Sequence, residues 1–362
     1  MRRLGDTVAR LNARKIGATS TTTGRLVPIP PVQENPGALD GFAYVPRQTS
    51  GAALVVVLHG CSQTAEAYDR GSGWSRHAEA LGFAVLFPQQ RRSNNPGLCF
   101  NWFVPDDTAR NRGEAASIAS MIRAMVKDHD LDPGRVFITG LSAGGAMTAT
   151  MLAAYPELFE AGAVIAGLPY GAATTMPQAF DAMRGVGLPA PATVVRRLRE
   201  AAPDAKRWPR VTVVHGSADK TVSVLNAESL LAQWRGVHQL DVAPAKETKE
   251  GRAFRRTWTN AAGDVVVEDI RIEGMGHGTP LDISADPNGA AGPYMLDVGH
   301  ASTLSLIESW RLGSPSPRAS LATLPAAPPV ATPPQPAARA QTRPDGVREV
   351  IESALRKAGL LA

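Results

Sequence analysis

The chain has 362 residues, a formal net charge of +5 and 44% hydrophobic residues, an ordinary composition for a globular protein. No apolar run approaches the roughly 18 residues that span a bilayer, and the arginines (Arg91, Arg92, Arg196, Arg197, Arg255 and Arg256 among them) are scattered, with no aromatic-interleaved basic motif, which argues against a nucleic-acid partner. Two cysteines in so long a chain make no disulfide framework and are short of ligands for a metal site of their own.

The first residues, MRRLGDTVARLNARK, have the positive start of a secretory signal, but Asp6, Arg10, Asn12 and Arg14 break the apolar stretch, so no Sec-type signal is expected. Residues 1–40 read as an N-terminal arm, polar at first and rich in turn-formers and proline at Pro28, Pro30 and Pro31. From 41 to 312 strands and helices alternate, which predicts an α/β domain: a mostly parallel central sheet with helices on both faces. Apolar runs at 53–58, 83–87, 135–139, 162–165 and 211–215 are the expected strands, because parallel strands covered on both sides carry runs rather than alternation. Ile118, Met121, Ile122 and Met125 are at helical spacing, so 113–129 is the crossover helix of a βαβ unit. Residues 313–343 form a Pro/Ala-rich linker, and 344–362 predict one amphipathic helix with Val347, Val350, Ile351, Ala354, Leu355 and Ala358 on its apolar stripe.

The chemistry centres on Gly140-Leu141-Ser142-Ala143-Gly144, between the strand RVFIT and the helical stretch AMTATMLAAY. Small residues around the serine permit the tight strand-to-helix turn of a nucleophile elbow, which lifts the hydroxyl above the sheet. In that architecture an acid and then a histidine follow on loops after later strands. Asp219, just beyond VTVVHG, is the expected acid; Asp241, Asp264 and Asp269 are the competitors, in a polar segment or beside antiparallel strands. His277, between glycines after VVVEDIRI, is the expected base, whereas His300 reads as the start of the last helix. The oxyanion would take backbone N–H groups from Ala143 and, in the loop after LVVVLHG, from Cys61. His59 reads as helping to shape that loop, against the plainer reading of a packed structural histidine. Cys99, in LCFNWF, can return beside it, which leaves two readings: a Cys61–Cys99 disulfide, or a free buried pair. Trp102 and Trp74 are candidates for stacking on substrate, against the plainer reading that they are core.

With these residues assembled, the chain resembles the esterase family of the polyhydroxybutyrate depolymerases, which is related to the feruloyl and acetylxylan esterases and has the α/β-hydrolase fold. The resemblance rests on LHGCSQTAEAY, GFAVLFPQQ, CFNWF, RGEAASI, LDPGRVFITGLSAGGAMTATML, HGSADKTV and GMGHGTPL, which together cover roughly 41–312. It implies cofactor-free and metal-free hydrolysis of hydroxyalkanoate polyesters, their oligomers or short-chain esters through an acyl-enzyme, by an extracellular protein, with a cytoplasmic one as the alternative that the N-terminus favours. It also implies the roles above for Ser142, Asp219, His277 and the Cys61 loop. Feruloyl or acetylxylan esterase activity, or acyl transfer to an alcohol, are the rival reactions. A non-enzymatic rival is a granule- or surface-binding protein whose C-terminal helix adsorbs to hydrophobic polymer.

Overall fold

The structure is a computed structural model, and it describes residues 24–313. In chain order the elements are β1 (Val27–Pro28), β2 (Asp40–Tyr44), β3 (Leu54–Leu58), α1 (Ala65–Ser72), α2 (Trp74–Leu81), β4 (Ala84–Gln89), α3 (Gly113–Asp128), β5 (Val136–Leu141), α4 (Ala143–Ala154), β6 (Ala161–Ile165), α5 (Met176–Met183), α6 (Pro191–Ala201), β7 (Arg210–Gly216), α7 (Leu225–His238), β8 (Lys246–Glu250), β9 (Ala253–Thr259), β10 (Val265–Ile272), β11 (Thr279–Leu281), β12 (Met295–Asp297) and α8 (Ser302–Ser309). Apart from Gly313, the linker and the C-terminal amphipathic helix read from the sequence lie outside the described residues.

Ten strands form one sheet in the order β1-β2-β4-β3-β5-β6-β7-β10-β9-β8. From β4 to β10 every neighbouring pair is parallel, and antiparallel pairs finish both ends. Each apolar run of the sequence coincides with one of the parallel strands, and β3, β5 and β6 are buried along their whole length. Alternation then divides each strand between two cores. Leu54, Val56 and Leu58 face α3, α4 and α7, where Trp234 fills the centre. Val55 and Val57 face α1, α2 and α8, where Phe137 stacks on Trp310 at 5.0 Å and Trp310 on Trp74 at 6.0 Å. No helix among the described residues is long and apolar enough to cross a membrane.

The arm departs from expectation over its second half. Val27 and Pro28 pair with Ala43 and Phe42 at the sheet edge, Ile29 donates its N–H to Gly41 O at 3.0 Å, and Leu39 belongs to the core. Pro28 is tolerated because an edge strand needs no outward N–H. At the opposite edge all five residues of β8, KETKE, are exposed.

Candidate active site

In a parallel sheet all strands end on one edge, and β5, β7 and β10 bring Ser142, Asp219 and His277 to that edge. Backbone bonds tie these ends together: Ser142 N to Ile165 O at 2.9 Å, Ala166 N to Val214 O at 2.8 Å, Ser217 N to Ile272 O at 3.0 Å and Ala218 N to Met275 O at 2.9 Å.

Ser142 joins β5 to α4 with φ +58° and ψ −117°, a conformation that costs a non-glycine residue energy and persists only when its surroundings enforce it. The enforcing contacts are steric. A Cβ at Gly140 would stand 2.4 Å from Gly144 O, and one at Gly144 would stand 2.4 Å from both Leu58 O and His59 O. Glycine at 144 therefore lets the elbow seat directly on the loop that follows β3.

That loop is fixed from below by His59. Gln90 N donates to His59 Nε2 at 3.2 Å, so the proton is on Nδ1, which donates to Gly60 O at 2.8 Å. Burial pushes His59 down to about 4, which keeps it neutral. Cys61 and Cys99 are joined in a disulfide with their Cα atoms 4.3 Å apart. Ala143 N–H, in the first turn of α4, has no acceptor within its own helix, and the Cys61 N–H is given to no acceptor among the described residues. Ala143 follows the serine directly, and Cys61 packs against the apolar cluster that contains Ala143. Cys99→Ser should lower stability by about 4 kcal/mol on the loop-closure argument for a 38-residue separation. It should also cut ester turnover by roughly one to two orders of magnitude as the loop loosens. Urea melts and initial rates of the variant, with dithiothreitol-treated wild type beside it, check both.

Asp219 and His277 meet at 2.7 Å, His277 Nδ1 donating to Asp219 Oδ2, with both side chains buried. Asp219 Oδ1 accepts from Thr221 N at 2.8 Å and Val222 N at 2.9 Å. Burial disfavours the Asp219 charge, but the hydrogen bonds from His215 and His277 outweigh it and hold the carboxyl well below the usual range. With Nδ1 committed to Asp219, His277 Nε2 is left with its lone pair. The competing acids are engaged elsewhere: Asp269, inside β10, is held by Arg256 and Arg271 at 2.6–2.9 Å, and Asp264 closes a turn with Asn260. His300 stands just before α8, its N–H on Leu281 O at 3.2 Å.

Of the two tryptophans, Trp102 lies in an apolar cluster with Ala143, Ala146, Leu168 and Val222, against which Cys61, Cys99 and Phe103 pack. Trp74 does not join it. It opens α2 in the core on the opposite face of the sheet, stacked on Trp310 and edge-on to Phe83, where its whole ring is removed from water. The assignment of Trp74 to substrate is therefore corrected to a core role.

Sequence reasoning passed over two groups. His215, at the carboxyl end of β7, donates from Nε2 to Val222 O at 2.9 Å and lies 3.4 Å from Asp219 Oδ2, so two imidazoles address one carboxylate. Its signal was a polar residue ending an apolar strand four positions before Asp219. Glu114, in the RGEAASI stretch, is buried beneath the disulfide loop. It accepts from Asn101 N at 2.9 Å and from Gln90 Nε2 at 2.5 Å, and the same Gln90 amide bonds Cys99 O at 3.0 Å. Burial, helped by Asp107, pushes Glu114 up from 4.5 to about 8 against the pull of these donors. Between those values the folded chain keeps a proton that the unfolded chain has shed, so stability falls as pH rises through the window, by up to about 1.4 kcal/mol per pH unit. Glu114→Gln should flatten that slope in denaturant melts from pH 5 to 8; an unchanged slope would place its cause elsewhere. No group of three or more His, Cys, Asp and Glu among the described residues could hold a metal ion.

The Esterase PHB depolymerase family model matches residues 43–254. Poly(3-hydroxyalkanoate) depolymerase C of Paucimonas lemoignei is 40% identical over 293 residues, which is 80% of this chain and 70% of that protein. An acetylxylan esterase of Coprinopsis cinerea is 31% identical over 273 residues, 73% of this chain and 71% of its own. Among solved structures, acetyl xylan esterase from Aspergillus awamori superposes with a TM-score of 0.66 at 27% identity, covering 73% of this chain and 97% of that one. The fold is that of the α/β-hydrolases.

Proposed function

Since this chain belongs to the Esterase PHB depolymerase family and is a carboxylic ester hydrolase, we propose that it works through an acyl-enzyme formed on Ser142, with His277 as base and Asp219 as the group that orients it. The observation that carries the reading is the 2.7 Å bond from His277 to a charged Asp219, on the same sheet edge as a serine held at φ +58°. His277 Nε2 takes the Ser142 proton as Oγ adds to the ester carbonyl, and the oxyanion accepts the N–H groups of Cys61 and Ala143. The tetrahedral intermediate then expels the alcohol, which receives that proton from His277. Water repeats the sequence on the acyl-enzyme and releases the acid.

The substrate we favour is a poly- or oligo(3-hydroxybutyrate) or another short-chain aliphatic ester. The 40% likeness to a polyhydroxyalkanoate depolymerase supports it. So does the apolar cluster of Trp102, Leu168 and Val222 beside Ala143, which suits an aliphatic acyl chain better than a sugar. Action outside the cell follows from the same reading and is supported by the disulfide, which persists in oxidising compartments. Initial rates on amorphous polyhydroxybutyrate, its dimer, short and long p-nitrophenyl esters, a feruloyl ester and acetylated xylan test the assignment. Preference for the hydroxybutyrate and short-chain esters is the expected result. Preference for acetylated xylan or the feruloyl ester would transfer the enzyme to that alternative, and product capture by added alcohol would make it an acyltransferase.

A further inference from the structure

We propose that Tyr294 determines specificity for the alcohol portion of the ester, an inference that rests on His277 being the base. Its ring stands edge-to-face with that of His277, centroids 6.1 Å apart and planes at 76°. Asp219 occupies the Nδ1 side of His277, so Nε2 faces the reacting ester and must reach the oxygen that leaves. The carbonyl oxygen is directed to Cys61 and Ala143, beside the apolar cluster, which assigns the acyl chain to that side. What remains next to the histidine ring is the alcohol, and Tyr294 is the wall it meets.

The placement of Tyr294 is enforced. Gly292 and Met295 exchange both backbone bonds at 3.0 Å, making a tight turn with Pro293 and Tyr294 at its corners. Tyr294 has φ +61° there, in the left-handed region where glycine is the usual choice. Its carbonyl accepts Thr279 N at 2.8 Å, two residues beyond His277, and Thr279 is bonded in turn to the buried Tyr68 hydroxyl at 3.0 Å. Farther back the same segment is pinned to α1 and α2: the buried Asp286 pairs with His77 at 2.8 Å, Asn288 O takes Arg76 at 2.9 Å, and Ala290 N bonds Gly71 O at 2.9 Å. A half-buried aromatic ring is thus held at a fixed distance from the base by a segment that contributes no group to the proton transfers. The alcohols that gain from such a wall are those with a flat or extended apolar body, a phenol or the next hydroxyacyl unit of a polyester, rather than methanol.

The test compares kcat/KM of wild type, Tyr294→Ala, Tyr294→Phe and Tyr294→Gly on three butyrate esters that share an acyl-enzyme: methyl, p-nitrophenyl and 3-hydroxybutyrate. Tyr294→Gly removes the ring while suiting the backbone angle, so a folding defect confined to Tyr294→Ala is recognisable in thermal melts. The expected result is a loss of about three- to tenfold on the p-nitrophenyl and hydroxybutyrate esters relative to the methyl ester in the ringless variants, restored by Tyr294→Phe. An equal loss on all three esters, or none on any, overturns the proposal. His277→Ala run alongside keeps the two readings apart, because its retaining turnover would remove the base itself and not only the wall beside it.

Discussion

Ser142→Ala is expected to lower kcat for any ester the enzyme accepts by on the order of 10^6, the scale seen when a serine hydrolase loses its nucleophile. Ser142 stands where β5 turns into α4, above a glycine-sealed contact with the loop that carries Cys61. Alanine keeps the Cβ and the backbone angle, so the thermal midpoint should stay near that of the wild type. Rates on a short p-nitrophenyl ester, with circular dichroism melts beside them, check both halves. Turnover within tenfold of wild type would mean that the nucleophile is elsewhere and would withdraw the acyl-enzyme on Ser142.

Asp219→Asn is expected to cost about 10^3 to 10^4 in kcat while leaving the fold standing. Asp219 receives three N–H groups, Thr221 and Val222 on Oδ1 and His277 on Oδ2, and His215 Nε2 stands 3.4 Å from Oδ2. An amide offers one acceptor oxygen where the carboxylate offers two. Turned with its oxygen toward the backbone donors, it points an NH2 at His277, which then accepts at Nδ1 and keeps its proton on Nε2, where the Ser142 proton should go. The carboxylate also contributes stability. Its folded value lies below the unfolded one, so that contribution is complete above the ordinary aspartate range and is lost as the solution is acidified through the folded value. The variant should therefore be less stable than wild type at neutral pH, and the gap should close in acid. A pH series of urea melts, with single-turnover rates at pH 8, separates the stability effect from the catalytic one. Unchanged kcat would assign orientation of the histidine to another group.

The parallel core was legible because burial on two faces leaves continuous apolar strands, and such runs need no alignment to be seen. Ser142, Asp219 and His277 could be placed at strand ends from the order of motifs alone, since each follows an apolar run and precedes a turn or helix. The sheet edge at Val27 and Pro28 was not legible, because two residues make no period and proline ordinarily argues against a strand. Nor could sequence separate Trp102 from Trp74: both are large aromatics in apolar company, and only the direction in which each segment turns decides which cluster each joins. Tyr294 left no signal at all. Its significance comes from a turn whose anchor points, His77 and Asp286, are 209 residues apart.

The two ends of the ten-stranded sheet have a colloidal consequence. A sheet edge is a row of unmated N–H and C=O groups, a template on which another chain can grow. Here one edge is a two-residue stub that ends in Pro28 with Pro30 and Pro31 beyond it, and the other is the fully exposed KETKE strand, whose alternating charges repel an incoming strand of the same sequence in parallel register and hydrate the edge in any register. Each margin is thereby a poor template for the parallel, in-register addition of a second copy.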